Sequence, residues 1–146
     1  MKQQVFGGDA AVDSERPARR LGEAMWRGFK GKCPHCGEGR LFRSFLKTVD
    51  ACEKCGEEIH HHRADDLPAY LVIAVVGHIV VGAFMGIEAV TVWPGWLHLT
   101  IWVPITILMS LLLLQPTKGA IVGLQWALYM HGFGGEHDAI ESHPEI

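Results

Sequence analysis

A small cysteine-rich module, followed by an all-α two-helix transmembrane hairpin and a short interfacial helix, is the fold that the sequence predicts. Three observations predict it. Four cysteines form two close pairs in the first half of the chain, and two long uncharged apolar runs follow in the second half. Twelve of the thirteen Lys and Arg residues precede residue 64. Charge and hydropathy therefore divide the 146 residues into a polar part and a membrane part.

These patterns divide the chain into six segments. The two ends, residues 1–17 and the acidic residues 133–146, are expected to be disordered. Between them the predicted order is an amphipathic juxtamembrane helix at 18–31, a ribbon-like module at 32–63, two transmembrane helices within 64–115, and an interfacial helix at 116–132.

The segment RRLGEAMWRGFKGK is basic and has an apolar stripe. Leu21, Met25 and Phe29 recur at helical spacing, with Trp26 beside them. Residues 16–47 contain nine Lys or Arg residues and two acidic residues, a local balance of +7. Nucleic acid would attract this charge, but a membrane anchor holds it within a Debye length of the headgroups. Anionic lipid is therefore the expected partner, and nucleic acid is not.

Two C-x2-C pairs, here called knuckles, are separated by fifteen residues: Cys33 with Cys36, and Cys52 with Cys55. Two intervening residues allow a tight turn to direct both thiolates at one ion. Gly37 and Gly56 permit the left-handed backbone that such turns need. Four thiolates in a tetrahedron form a closed structural zinc site. The sequence therefore predicts a four-cysteine zinc ribbon built from β-hairpin knuckles.

The same four cysteines allow two alternatives to zinc. Disulfides are disfavoured, because a cytoplasmic location keeps thiols reduced. Iron accepts the same tetrahedral thiolates and stays open as a one-electron carrier. A catalytic metal needs an open coordination position, which four cysteines would fill, so an enzyme is not expected. The segment between the knuckles alternates well enough for one hairpin, whose apolar side chains would cover the metal: Leu41, Phe42, Phe45, Leu46 and Val49.

Two apolar runs have the length of membrane spans. They cover about residues 69–88 and 97–114, and a hydrocarbon core of about 30 Å requires about twenty helical residues. The connector EAVTVWPGW has no Lys or Arg, so the positive-inside rule places both termini in the cytoplasm. Aromatic residues at the two ends are expected to be interfacial anchors: Trp93, Trp96 and Trp102 outside, and Tyr70 inside.

The first span has a small-residue face. Gly82 and Gly86 form GAFMG, a pattern that lets helix backbones approach closely, and other membrane proteins are the expected partners of this face. His78 lies one turn earlier on the same face. Its imidazole could hydrogen-bond a neighbouring helix, with Thr106 at matching depth, or it could ligate a metal or haem.

Pro116 is expected to end the second span. The eleven residues from Ala120 to Met130 are too few to cross a bilayer and divide into a more apolar and a more polar face. We therefore expect a separate helix along the cytoplasmic interface. A short continuation packed beneath the bundle is the alternative.

The stretch HHHRADDLPAY joins the two halves of the chain. Pro68 suits the first turn of a helix, and Asp65 and Asp66 stand where its amides need acceptors. The three histidines at residues 60–62 are not explained in this way. With His35 they could bind a second ion, contact lipid phosphate or form a solvated turn, although three adjacent histidines cannot all face one ion.

Four motifs in order carry a family resemblance: CPHCGEGRLFRSFLK, CEKCGEEI, RADDLPAY and PTKGAIVGLQWA. Over about residues 25–131 the chain resembles the bacterial family of small membrane proteins catalogued as domain of unknown function number 983. The resemblance carries the family's cysteine pattern onto Cys33, Cys36, Cys52 and Cys55, and its acidic pair onto Asp65 and Asp66. Leu67 stands where the family usually has a glycine. The resemblance implies a bacterial inner-membrane protein and no established activity.

Three functions are consistent with these features. The leading hypothesis is a non-enzymatic adaptor or assembly factor, multi-pass in the inner membrane. The runner-up is a metal- or haem-handling factor in haem-copper oxidase biogenesis, since the resemblance implies that members are sometimes found among genes for that process. A membrane enzyme would depend on Asp65 and Asp66 as general acid and base, but neither a nucleophile nor an oxyanion site accompanies them.

Overall fold

The computed structural model describes residues 17–134, and this part of the chain contains three helices. Helix α1 spans Leu21–Phe29, α2 spans Leu67–Glu88 and α3 spans Gly95–Ala127. Our expectations for residues 1–16 and 135–146 concern segments outside the described residues. Phe133, which we expected in the disordered tail, is buried against Ala24 and Trp126.

Helices α2 and α3 are long and apolar enough to cross a membrane. At 1.5 Å per residue they measure about 33 Å and about 50 Å, against about 30 Å for the hydrocarbon core. Only 11% of the most apolar window of α2, and 6% of that of α3, is buried within the chain. A core helix of a soluble protein would be covered by its own fold, so these surfaces need apolar surroundings from elsewhere.

The two helices pack against each other as a hairpin, with buried residues near the start of α2 and at the connector. Val72 and Val76 of α2 are buried near its first end. At the connector, His98 of α3 is buried, and Trp102 donates a hydrogen bond from Nε1 to its Nδ1 over 3.3 Å. The Nε2 atom of His98 lies 3.0 Å from a carboxylate oxygen of Glu88. This is an ion-pair distance, but the two groups are not aligned for a hydrogen bond.

Helix α3 is one continuous helix with Pro104 and Pro116 inside it. Our prediction that Pro116 ends the span and that a separate interfacial helix follows is wrong. The alternative, a continuation packed beneath the bundle, describes the structure better. An internal proline costs about 3 kcal/mol. Burial of the following turns offsets it, because most residues from Gly119 to Ala127 are buried.

Residues 30–66 form the cysteine module without regular strands. Three isolated antiparallel bridges hold it: Lys32 with Arg40, Phe42 with Thr48, and Ala51 with Glu58. The β-hairpins that we predicted are not confirmed, since no strand occurs between residues 17 and 134. Each arm makes a single bridge before the chain turns, so no ladder can extend.

Helix α1 packs against the end of α3 rather than lying free along a membrane. A Cβ at Gly28 would overlap the carbonyl of Gly119, and one at Gly123 would overlap the carbonyl of Ala24. The face of α1 that packs is therefore the small-residue one, and Leu21 and Phe29 of the predicted stripe stay exposed. We call residues 17–66 together with residues 116–134 the ribbon unit, and residues 67–115, which include α2 and the first part of α3, the hairpin.

Candidate metal centre

The two knuckles have the same local structure. The N–H of Gly37 donates to the carbonyl of Cys33, and the N–H of Gly56 donates to that of Cys52, each over 2.9 Å. Both glycines have φ of +74°, a left-handed conformation that costs other residues free energy. The expectation that these two glycines are left-handed is confirmed.

The four cysteine sulfurs converge on one point. Sγ of Cys33 lies 3.7 Å from that of Cys55, Sγ of Cys36 lies 3.7 Å from that of Cys52, and all four lie within 4.8 Å of one another. A tetrahedral site with zinc–sulfur bonds of about 2.3 Å has sulfur–sulfur edges of about 3.8 Å. A disulfide would require about 2.05 Å, and all four cysteines are free. The geometry therefore fits one four-coordinate metal ion and no disulfide.

The thiols have different electrostatic surroundings. Backbone N–H groups, that of Gly39 first, lower the pKa of Cys36 to about 6. Burial raises the pKa of Cys33 and that of Cys55 above the ordinary thiol value. A bound divalent cation would deprotonate all four thiols, because its positive charge stabilises the negative thiolates that burial disfavours. The donor set suits zinc and equally accepts iron.

Gly39 keeps space beside one ligand. A Cβ at this position would overlap the Cys52 sulfur. Its carbonyl accepts a hydrogen bond of 2.9 Å from the N–H of Cys33, so this residue contacts both knuckles. We did not predict a role for Gly39, although it ends the run CGEG that begins at the second cysteine of the first knuckle.

The core beneath the cysteines belongs to two parts of the chain. Leu41 and Ile59 from the module are fully buried together with Val122 of α3, and Ile121 joins the same cluster. Of the five side chains that we expected to cover the metal, three contribute to this core: Leu41, Phe42 and Val49. Phe45, which is 47% exposed, and half-buried Leu46 do not. The cysteine module therefore completes its core with α3.

Trp126 of α3 contacts residues beside or within both knuckles. Its Nε1 donates to Oε1 of Glu57 over 2.8 Å, and its ring lies 5.7 Å from that of His35. The Arg19 guanidinium lies 4.1 Å from the Trp126 ring centre and donates to its carbonyl over 2.7 Å. We call Arg19, His35, Glu57 and Trp126 the Trp126 clamp.

Gln125 makes a second polar link beside the clamp. Its Oε1 accepts a hydrogen bond of 3.0 Å from the N–H of Arg63. Gln125 and Trp126 both belong to the quoted motif PTKGAIVGLQWA, for which we predicted an interfacial helix but no contact with the cysteine module. The motif provided the signal, but its long-range partners could not be read from the pattern.

The three adjacent histidines point in different directions. His60 and His61 lie near Glu58, with metal-ligating atoms within 4.8 Å of one another. His62 turns away, and its Nε2 lies 2.6 Å from the hydroxyl of Thr48. Burial, with a smaller effect from Lys118, lowers the pKa of His62. His35 lies in the Trp126 clamp and is not part of this group of metal-ligating atoms, so the alternative in which His35 shares an ion with the histidine run is not supported.

The remaining candidates occupy the start and middle of α2. Asp66 precedes the helix, but its side chain forms no capping hydrogen bond, and both Asp65 and Asp66 are exposed. Nδ1 of His78 lies 2.6 Å from the carbonyl of Ala74, and Thr106 donates to the carbonyl of Trp102 over 2.7 Å. Both side chains therefore bond within their own helices, and the hydrogen bond that His78 could have made with Thr106 is not formed.

Comparison with known proteins gives one family match. The model of the family described as "Protein of unknown function (DUF983)" matches residues 42–126, more than half of the chain. The matched region includes the second knuckle, both apolar helices and the Trp126 end of α3. No match was found among curated proteins or among solved structures.

Proposed function

Because the chain belongs to the DUF983 family, whose description assigns no activity, we propose its function from the metal centre. It is a non-enzymatic integral membrane protein that acts as an adaptor or assembly factor for membrane partners. A structural zinc ion holds the ribbon unit at one end of the hairpin. The observation that carries this proposal is the convergence of four cysteine sulfurs within 4.8 Å.

The coordination argues for a structural role. Four thiolates fill a tetrahedral ion, and a catalytic zinc needs an open position for water or substrate. A metal bound here ties the two knuckles to each other, and the shared core with Val122 ties them to α3. Metal binding therefore contributes to the folding free energy of the whole ribbon unit.

The charges of the ribbon unit support a cytoplasmic location. Pro17 and Tyr129, near the two ends of the described chain, meet where the Tyr129 hydroxyl donates to the Pro17 carbonyl over 2.5 Å. Both ends therefore lie on one side of the hairpin. Every Lys and Arg among residues 17–134 belongs to the ribbon unit, whereas residues 89–94 contain none. By the positive-inside rule this side is the cytoplasm, in our proposal that of a bacterial inner membrane.

Two surfaces are suited to partners. On α1, Trp26 is 57% exposed, its ring stacks on Phe29, and the Lys30 ammonium lies 4.7 Å from its centre. An aromatic and basic surface of this kind suits anionic headgroups. On α2, a Cβ at Gly82 or Gly86 would meet nothing within 4 Å, so this face can accept another membrane helix.

Capture from native membranes tests the proposal. The full chain is purified in mild detergent, its metal is quantified, and co-purifying membrane proteins are identified for the wild type and for Gly82→Ile. We expect one zinc ion per chain in both, and loss of membrane partners in the variant. Gly77→Ile is the matched control, because Gly77 also faces open space but lies about 140° around the helix. Equal partner recovery from all three proteins would refute the adaptor surface.

A further inference from the structure

Three metal-ligating side chains meet on the surface of the ribbon unit outside the cysteine centre. They are Glu58, His60 and His61, whose ligand atoms all lie within 4.8 Å of one another. Nε2 of His61 lies 3.0 Å from Oε2 of Glu58, and the rings of His60 and His61 are 4.0 Å apart between centres. None of the three is a cysteine or belongs to the Trp126 clamp.

The surrounding structure fixes which histidines can cooperate. Gly132 has φ of +81°, and a Cβ there would lie 2.8 Å from Nδ1 of His61. The ring of buried Phe133 packs edge-to-face with the same imidazole, at 5.9 Å between ring centres. The turn after α3 therefore holds His61 toward Glu58. The imidazole of His62 bonds instead to the hydroxyl of Thr48. Two of the three adjacent histidines, His60 and His61, therefore converge on Glu58.

We propose that Glu58, His60 and His61 form a second, exchangeable site for a divalent first-row transition ion such as Ni²⁺ or Zn²⁺. Two imidazoles and a carboxylate are borderline ligands that these ions accept, whereas the four thiolates form a soft and closed set. Glu58 and His60 are exposed and His61 is half-buried, so an ion can enter and leave from solvent. Three ligands leave coordination positions for water.

This site would give the ribbon unit a metal-dependent contact. Glu58 forms an antiparallel bridge with Ala51, and these two residues flank the second knuckle. His61 packs against Phe133 in the turn after α3. All three ligands belong to residues 58–61, so a bound ion would fix His61 to Glu58 and would act on the turn after α3 only through the packing of His61. The inference goes beyond the proposed adaptor function, and it does not require that function to be correct.

Equilibrium dialysis of the full chain against NiCl₂ tests the site. The protein is purified in detergent with an affinity tag that contains no histidine, and nickel and zinc are both quantified. We expect saturable binding of one Ni²⁺ per chain with the zinc retained. Losing an outer-sphere partner costs metal affinity about 10- to 100-fold, and losing a ligand should cost at least that much. His60→Ala and His61→Ala should therefore both lower Ni²⁺ affinity by at least this factor.

Two conservative variants keep the test decisive. Glu58→Gln should weaken Ni²⁺ binding while leaving the zinc content unchanged, because an amide is a poorer ligand than a carboxylate. His62→Gln is the matched control within the same histidine run, and it should bind Ni²⁺ like the wild type. The proposal is overturned by the absence of saturable nickel, by nickel that replaces zinc, or by equal losses in His62→Gln and His60→Ala.

Discussion

The glycines at the contact of α1 with α3 and the glycines of the hairpin face opposite environments. In the ribbon unit, Gly28, Gly119 and Gly123 sit where backbones of α1 and α3 touch, and an added Cβ would overlap a carbonyl. In the hairpin, Gly82 and Gly86 have nothing within 4 Å of an added Cβ. The same residue type thus closes a contact within the chain in one region and leaves a surface open in the other. The helices of the ribbon unit pack against each other within the chain, whereas the apolar surface of the hairpin needs lipid or a partner protein to cover it.

Polar side chains show the same contrast. Gln125 bonds to Arg63, which is 62 positions away along the chain, and Trp126 bonds to Glu57, which is 69 positions away. Their hydrogen bonds therefore join distant parts of the ribbon unit. His78 and Thr106 bond only to carbonyls four residues earlier in their own helices. Long-range polar contacts therefore specify the ribbon unit. Substitutions should have large effects there and small effects in the hairpin.

Loss of a cysteine ligand should have the largest effect. Structural zinc contributes an apparent binding free energy of about 10–16 kcal/mol in small modules, and a three-thiolate site loses much of it. We expect Cys52→Ser to lose zinc, to reduce abundance and to open the ribbon unit to proteolysis. Metal analysis and limited proteolysis of membranes measure these effects.

Glu53→Gln is the control for that experiment. Glu53 is exposed in the same knuckle, so this variant should retain zinc and protease resistance. Wild-type metal content and abundance in Cys52→Ser would contradict the four-cysteine site. Unchanged protease resistance after chelation would contradict the metal's role in folding.

The second largest effect is expected from a Gly→Ala substitution at the contact of α1 with α3, compared with the same substitution in the hairpin. Gly119→Ala forces a Cβ onto the Gly28 carbonyl, and overpacking of this kind costs about 1–3 kcal/mol. Gly82→Ala meets open space, so it should change stability by less than about 0.5 kcal/mol. Thermal unfolding of both variants in the same detergent provides the measurement. Equal shifts in the unfolding midpoint would mean that α1 does not pack against α3 as described.

The sequence predicted the elements with local signals and missed those that depend on distant contacts. The C-x2-C spacing identified Cys33 and Cys36 together with their partners, and hydropathy located both spans. Pro116 was misinterpreted because its local cost is visible in the sequence, whereas the burial of Val122 and Trp126 beyond it is not. The contact of α1 with α3 was missed for the same reason, since Gly28 shows no apolar periodicity.

A smaller effect is expected at the Trp126 clamp. Trp126→Phe keeps an aromatic ring but removes the donor to Glu57, and hydrogen bonds to charged groups contribute about 1.5–3 kcal/mol. The side chain of Glu57 is 22% exposed and can regain some hydration, so we expect a loss near the lower end. Trp96→Phe, at a residue that is 66% exposed, is the control in the hairpin. A double-mutant cycle with Glu57→Ala, which removes the acceptor, measures the coupling, and a coupling of zero would show that this hydrogen bond does not stabilise the fold.

The smallest effect is expected at His78, in the middle of the hairpin. Because its Nδ1 bonds within its own helix, no contact between helices depends on it. Polar contacts in membrane helices average about 0.6 kcal/mol, so His78→Leu and His78→Gln should both unfold close to the wild type. A metal- or haem-handling role predicts a different pattern, because neither an amide nor an alkyl group replaces an imidazole nitrogen. Metal and haem content of the purified variants, together with oxidase activity of the host membranes, separates the two functions. Severe and equal losses in both variants would favour the metal handler, whereas near-normal content and activity in both would leave His78 as a residue on the open face of α2.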